Sequence, residues 1–180
     1  MNPYISGLKL SDRELRTIRK TMNMTQKDFA NLLGVSVKSV ERWESGNCEI
    51  TGSAATVLQM LFMDPSLADR LSVPEKKLPL RLWYMYYNMP CTLIDADEKN
   101  RIVRIKNYTN RIFYRAFGVI TEPSYEDFEE FLESRCFPKT RDKQKIILEA
   151  MGLMFYDPLS IIEKTEGRMA EDHFRLIVER

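Results

Sequence analysis

Along residues 11–71 the apolar positions fall into short runs at helical spacing, each opening at a residue able to cap a helix. Ser11 has Glu14 three residues on, the spacing of a capping box, and Leu15, Ile18 and Met22 follow on one face. Thr25 opens a second run with Asp28 at its third position and Phe29, Leu32 and Leu33 as its apolar face; Gly34 closes it. Ser36 opens a third, in which Val40 and Trp43 point inward and which Gly46 ends. Thr56 to Met63 is a fourth run, and Asp64-Pro65 opens a short fifth ending near Leu71. Five closely spaced helices are predicted.

After residue 72 the pattern changes. Residues 73–79 belong to the stretch Ser72-Val-Pro-Glu-Lys-Lys-Leu-Pro79, which reads as a linker between a domain at 1–72 and another at 80–180. Leu80 to Tyr87 is aromatic-rich and reads as helix or strand against a core. Cys91 to Ile94 and Arg101 to Ile105 flank the polar Asp95-Ala-Asp-Glu-Lys-Asn100, a β-hairpin pattern, with Arg101, Val103 and Ile105 on one face and Ile102, Arg104 and Lys106 on the other, an imperfect alternation. Ser124 to Ser134 reads as an acidic helix. Thr140 to Met151 reads as a basic-then-apolar helix ended by Gly152. Asp157 to Thr165 follows, with Asp157 as N-cap and Pro158 at the first position. His173 to Val178 reads as a final strand or helix. The fold class is therefore α+β: an all-α five-helix domain, then a mixed domain with a small sheet, a β-hairpin and several helices.

Charge narrows the chemistry. The net charge is +1, with 9 basic and 8 acidic side chains in residues 1–72 and 18 of each in 73–180. Any contact with a polyanion must rest on local placement. The second half is strongly segregated. Lys99 to Arg115 carries six bases and no acid, and Glu122 to Glu133 six acids and no base. Arg135 to Lys145 is basic again, with Asp142 its one acid. Three readings fit: internal pairing, phosphates flanking a DNA site, or patches meeting across a dimer; the internal and dimer readings are favoured. Arg101, Arg104, Lys106, Arg135 and Arg141 are the candidate partner- or anion-binding residues. Arg135, Pro138, Arg141 and Asp142 form a compact cluster for which capping and turn formation is the simpler use.

Cys48, Cys91 and Cys136 are too scattered for a disulfide framework or a zinc site. The start, MNPYISGLKL, lacks the charged and continuous apolar segments of a secretory leader, and no run reaches the roughly 18 apolar residues a bilayer demands. A cytoplasmic protein without cofactor or metal is expected. Asp95, Asp97 and Glu98 read as solvated turn acids. With one histidine, His173, no paired nucleophile and base and no phosphate-binding glycine loop, an enzyme is not expected.

Residues 25–46 carry the main signal. Two short helices are joined through Gly34 and a three-residue turn. Ala30 is small where the helices must cross, Val35 and Val40 fill the space between them, and Trp43 anchors the second helix. Such an arrangement presents an exposed helix N-terminus to the major groove of DNA. Over about residues 11–71 the sequence resembles the XRE, Cro/repressor-type helix-turn-helix family. It does so at Ile18-Arg19, Thr25-Gln26, Phe29-Ala30, Leu33-Gly-Val-Ser36, Val40, Trp43, Glu44 and Gly46. Within it the chain is most similar to the antitoxin-associated, MqsA-like and HigA-like branch, through Arg42-Trp-Glu-Ser-Gly46, Gly52-Ser-Ala-Ala55 and Val57 to Pro65. It departs in having Glu49-Ile-Thr51 where that branch has a proline before the glycine.

The resemblance implies roles by position. Gln26 would bond a backbone phosphate, with Lys27 beside it. Ser36 would cap the recognition helix, 36–45, and Val37, Lys38, Ser39 and Arg42 would face the groove, Arg42 suited to guanine and Val37 to a thymine methyl. Arg19 and Glu44 would form a structural ion pair, and Trp43 would be core. The C-terminal half also resembles a domain of unknown function fused to such units in Firmicute-type bacteria and mobile elements. The shared segments are Met89 to Asp97, Glu133 to Asp142 and Gly167 to Asp172, and they imply no activity.

The function expected is a sequence-specific transcriptional regulator, a repressor or autorepressor, binding double-stranded DNA as a homodimer, with a possible protein partner for the C-terminal domain and no membrane association. The alternative is a protein-binding effector, an antitoxin or a mobile-element anti-immunity protein such as an anti-CRISPR. In it the C-terminal half inhibits a target and the helix-turn-helix autoregulates.

Overall fold

A computed structural model describes residues 9–180. The leader expectation rests largely on residues 1–8, which lie outside the described residues. The chain divides into two compact units between Pro74 and Glu75.

The first unit holds α1 (Asp12–Thr21), α2 (Gln26–Leu33), α3 (Val37–Glu44), α4 (Gly52–Met63) and α5 (Ser66–Leu71). Ser11 and Glu14 form the reciprocal capping box that their spacing predicts. The Thr25 hydroxyl accepts from the Asp28 N–H at 3.1 Å and starts α2. Gly34 ends α2 at φ 65°, the left-handed conformation that needs glycine, and nothing within 4 Å would obstruct a Cβ there. The backbone alone selects the residue. Leu15, Phe29, Val40, Ala55 and Leu58, all buried, meet in one core.

Two details differ from the sequence reading. α4 begins at Gly52, four residues ahead of Thr56. The segment Glu49-Ile-Thr51, which replaces the proline step, buries Ile50 and pairs it with Leu10 in an isolated antiparallel bridge.

The second unit is a four-stranded antiparallel sheet of β1 (Leu80–Tyr86), β2 (Met89–Asp97), β3 (Ile102–Asn107) and β4 (Phe174–Glu179), ordered β3-β2-β1-β4. Helices α6 (Tyr125–Ser134) and α8 (Pro158–Thr165) adjoin β3 and β4. Leu82, Ile94 and Leu176 from the strands form one core with Phe128, Phe131, Leu132, Ile161 and Ile162 from the helices. The capping of α6 by Ser124 and of α8 by Asp157 and Pro158 follows the sequence.

Three expectations are corrected here. Asp95 is not a turn residue: it lies inside β2, buried, and accepts from Arg81 Nε and Nη2 at 2.6 and 2.7 Å. A lone aspartate in a strand next to polar sequence reads as a turn, and only the cross-strand arginine makes its burial tolerable. Helix α7 (Gln144–Ala150) starts four residues after Thr140, because residues 138–143 form turns closed by Arg141 N–H to Pro138 O and leave Lys143 at φ 60°. Arg135 is no surface anion-binding residue. It is 7% exposed, donates to Gly167 O at 3.0 Å, and pairs with Asp172 at 2.6 and 3.1 Å.

Candidate nucleic-acid interface

Helices α2 and α3 meet through the turn at residues 34–36. The Ser36 hydroxyl accepts from the Ser39 N–H at 3.1 Å, fixing where α3 begins. Phe29, Ala30 and Val40 are buried beneath the crossing, and Trp43, half-buried, packs on the same core. One face of α3 is therefore held inward. The opposite face carries Val37, Lys38 and Arg42 into solvent, with Ser39 half-buried at its edge. Lys27 is exposed on the first turn of α2.

Glu44 closes α3 and ties three helices together. It is buried, and its carboxylate accepts from Arg19 Nε at 2.7 Å, Arg19 Nη2 at 3.1 Å and Gln26 Nε2 at 2.7 Å. Arg19 also donates to Met24 O at 2.9 Å, and Arg16 to the Glu44 carbonyl. Burial by itself opposes ionisation of Glu44. The hydrogen bonds from Arg19 and Gln26 and the charges of Arg19 and Arg16 outweigh it and hold the carboxyl below its ordinary range. The Arg19–Glu44 pair is the one its family resemblance implies. Gln26 makes a contact its sequence role does not include: its side-chain amide donates one N–H to Glu44, and the second N–H of that group is the one left for a phosphate.

Glu41 was missed by the sequence reading. It is exposed one turn after Val37 and Lys38 and adjoins Arg42, so a carboxylate stands on the exposed face of α3. Its helical spacing, four residues after Val37 and three after Lys38, is legible in the sequence. A carboxylate there accepts from a cytosine amino group and disfavours phosphate.

The basic candidates of the second unit are put to several uses. Arg101 pairs with Glu126 at 2.5 Å and Glu129 at 3.3 Å on α6, and lies 4.5 Å over the Tyr125 ring. The internal reading of the charge segregation holds at that point. Arg104 is exposed and opposes Asp95 across β2 and β3. Lys106 lies 5.4 Å from the Tyr108 ring centre, and Arg141 is exposed, 5.9 Å over Phe137.

The thiols of Cys91 and Cys136 are buried and raised by that burial, Cys136 to about 11, which leaves both unreactive; Cys48 is exposed. Among the described residues no cluster of three or more metal-ligating side chains occurs, and no helix is long and apolar enough to cross a membrane.

Residues 15–58 match the helix-turn-helix family model. Over 68 residues, 38% of this chain, the sequence is 31% identical to antitoxin HigA-2 of Vibrio cholerae, covering 65% of that protein. Over 122 residues, 68% of this chain, it is 25% identical to a Pyrococcus abyssi protein named as an HTH-type transcriptional regulatory protein, covering 37% of it. The chain thus spans less than two thirds of either relative's length. The capped helix pair, its buried crossing and these similarities identify the N-terminal unit as a helix-turn-helix domain of the XRE, Cro/repressor type.

Proposed function

We propose that the chain is a sequence-specific DNA-binding transcriptional regulator, a repressor that acts at a promoter, its own included, and binds as a homodimer to two half-sites. The observation that carries this reading is the exposed face of α3, with Val37, Lys38 and Arg42, mounted on a helix pair that the buried Glu44 locks in place. A helix so held can enter a major groove without first being ordered. The similarity to regulators supports it. Dimerisation is part of the proposal because a single small module buries little surface on DNA. On this reading the chain binds rather than catalyses, and it works where DNA is, in the cytoplasm.

The test is a gel shift with DNA from upstream of its own gene, titrated with salt. A steep linear fall of log affinity with log salt is expected, reflecting neutralised phosphates. Unchanged binding by a protein carrying both Lys38→Ala and Arg42→Ala would refute the proposal.

A second reading, an antitoxin that also regulates its own promoter, is favoured by the similarity to antitoxin HigA-2. Co-purification of one stoichiometric protein encoded beside it, whose toxicity the chain suppresses, would decide for it.

A further inference from the structure

At one end of the second unit the β1–β2 turn and the segment leading into β4 enclose an open cavity of about 330 Å³, walled in part by Tyr87, Asn88, Arg168, His173 and Arg175. Three features of it point to a ligand.

The first is Tyr87. Its φ is 51°, the left-handed region that glycine or asparagine occupies readily and an aromatic residue does not. The strain is held in place from three sides. Tyr87 N–H donates to His173 O at 3.1 Å. Arg175 Nε donates to Tyr87 O at 3.2 Å, and its Nη2 to Asn88 Oδ1 at 3.1 Å. The two-residue turn between β1 and β2 calls for the positive φ but not for an aromatic side chain there; the ring, edge-on to Tyr86 at 4.8 Å, remains 53% exposed.

The second is the ring pair. Tyr87 stacks on His173, the one histidine of the chain, with centroids 4.5 Å apart and planes within 22°. Both residues are exposed, which makes a solvent-facing stacking platform.

The third is charge. Arg168 and Arg175 share one carboxylate, Glu166, at 2.6 and 3.5 Å, while Asp172 is taken by the buried Arg135. Three guanidinium groups therefore face two carboxylates, and two of the three, Arg168 and Arg175, line the cavity; Arg168, held to Glu166 through Nε and Nη2, is 62% exposed in its side chain.

A flat aromatic platform beside an exposed guanidinium and an imidazole suits a ligand that joins a planar ring to an anion. The volume is at the lower end of small-ligand pockets. We propose that this cavity binds a free nucleoside monophosphate, its base on the Tyr87–His173 stack and its phosphate on Arg168, so that the C-terminal unit senses a small molecule. The inference does not depend on the DNA-binding reading.

Because His173 is the one histidine, its imidazole resonances report on the site without assignment ambiguity. The full chain is titrated with AMP, with adenosine, with inorganic phosphate and with a single-stranded trinucleotide. AMP is expected to shift the His173 resonances saturably, with adenosine and phosphate each at least ten-fold weaker. Arg168→Ala and Tyr87→Gly should each weaken AMP at least ten-fold. Tyr87→Gly relieves the left-handed strain, so its thermal midpoint should hold or rise while binding falls, which separates a binding role from a structural one. No saturable shift at millimolar AMP, or AMP binding equal to wild type in both variants, overturns the proposal. A trinucleotide binding ten-fold more tightly than AMP also overturns it, in favour of a nucleic-acid strand.

Discussion

Glu44 illustrates how a single side chain can organise a small domain. A buried carboxylate is costly unless fully paired, and here Arg19 and Gln26 supply three hydrogen bonds to it. Glu44→Ala removes the counter-charge of the largely buried Arg19, leaving it only the Met24 carbonyl, and should cost about 3–5 kcal/mol in chemical denaturation. The sign of its pH effect follows from its lowered ionisation. The stabilisation is complete above the ordinary carboxylate value of 4.5 and is lost as pH falls through the lowered value. Glu44→Gln should therefore flatten the acid limb of the stability curve below that point. Gly34→Ala, at φ 65°, is expected to lower stability by roughly 1 kcal/mol without touching any contact, since only backbone strain is added. On DNA, Arg42→Ala should cost about 1–3 kcal/mol and relax base preference at one position, whereas Lys38→Ala, if it contacts phosphate, should weaken all sequences alike and reduce the salt slope by about one. Competition binding over a set of single-base variants distinguishes the two.

Among the elements, the row Arg104–Asp95–Arg81–Glu179 runs across all four strands with alternating sign. Asp95 and Arg81 at its centre are buried and bidentate, while Arg104 and Glu179 at its ends are exposed. Register is reinforced where a one-residue slip would bury like against like or turn these charges to the other face. The pair joining Arg101 to α6 is of another kind. Arg101, Glu126 and Glu129 are half or more exposed, so Arg101→Ala should change stability by less than about 1 kcal/mol. Asp172→Ala, which strands the buried Arg135, should cost about 3–5 kcal/mol. Urea unfolding of both variants tests the contrast, which the sequence could not offer: both arginines stood in basic runs of similar appearance.

For the whole molecule, a net charge of +1 divided evenly gives no general attraction to a polyanion. On the proposed reading, affinity for DNA would come from a few placed groups and from two copies acting together. A duplex with two half-sites one helical turn apart should bind far more tightly than one with a single half-site, measurable by titration at fixed salt. Much of the architecture was legible because its causes are local. Cap residues, the left-handed glycine at Gly34 and the 3.6-residue period fix α1 to α3 and the starts of α6 and α8 from a handful of neighbouring side chains. The exposed face of α3 was legible for the same reason, since Val37, Lys38 and Arg42 are what remains when its inward face is accounted for. What the tertiary structure alone decided involves partners distant in the chain. Strand β4 completes the sheet against β1 some ninety residues earlier. Arg81 makes Asp95 a core residue, Asp172 turns Arg135 inward, and Glu44 takes one N–H of the half-buried Gln26. A charged side chain carries no local mark of whether its counter-charge will come from solvent, from DNA or from its own fold. That is settled only when the chain closes and the energy of burying each charge is set against the partner that meets it.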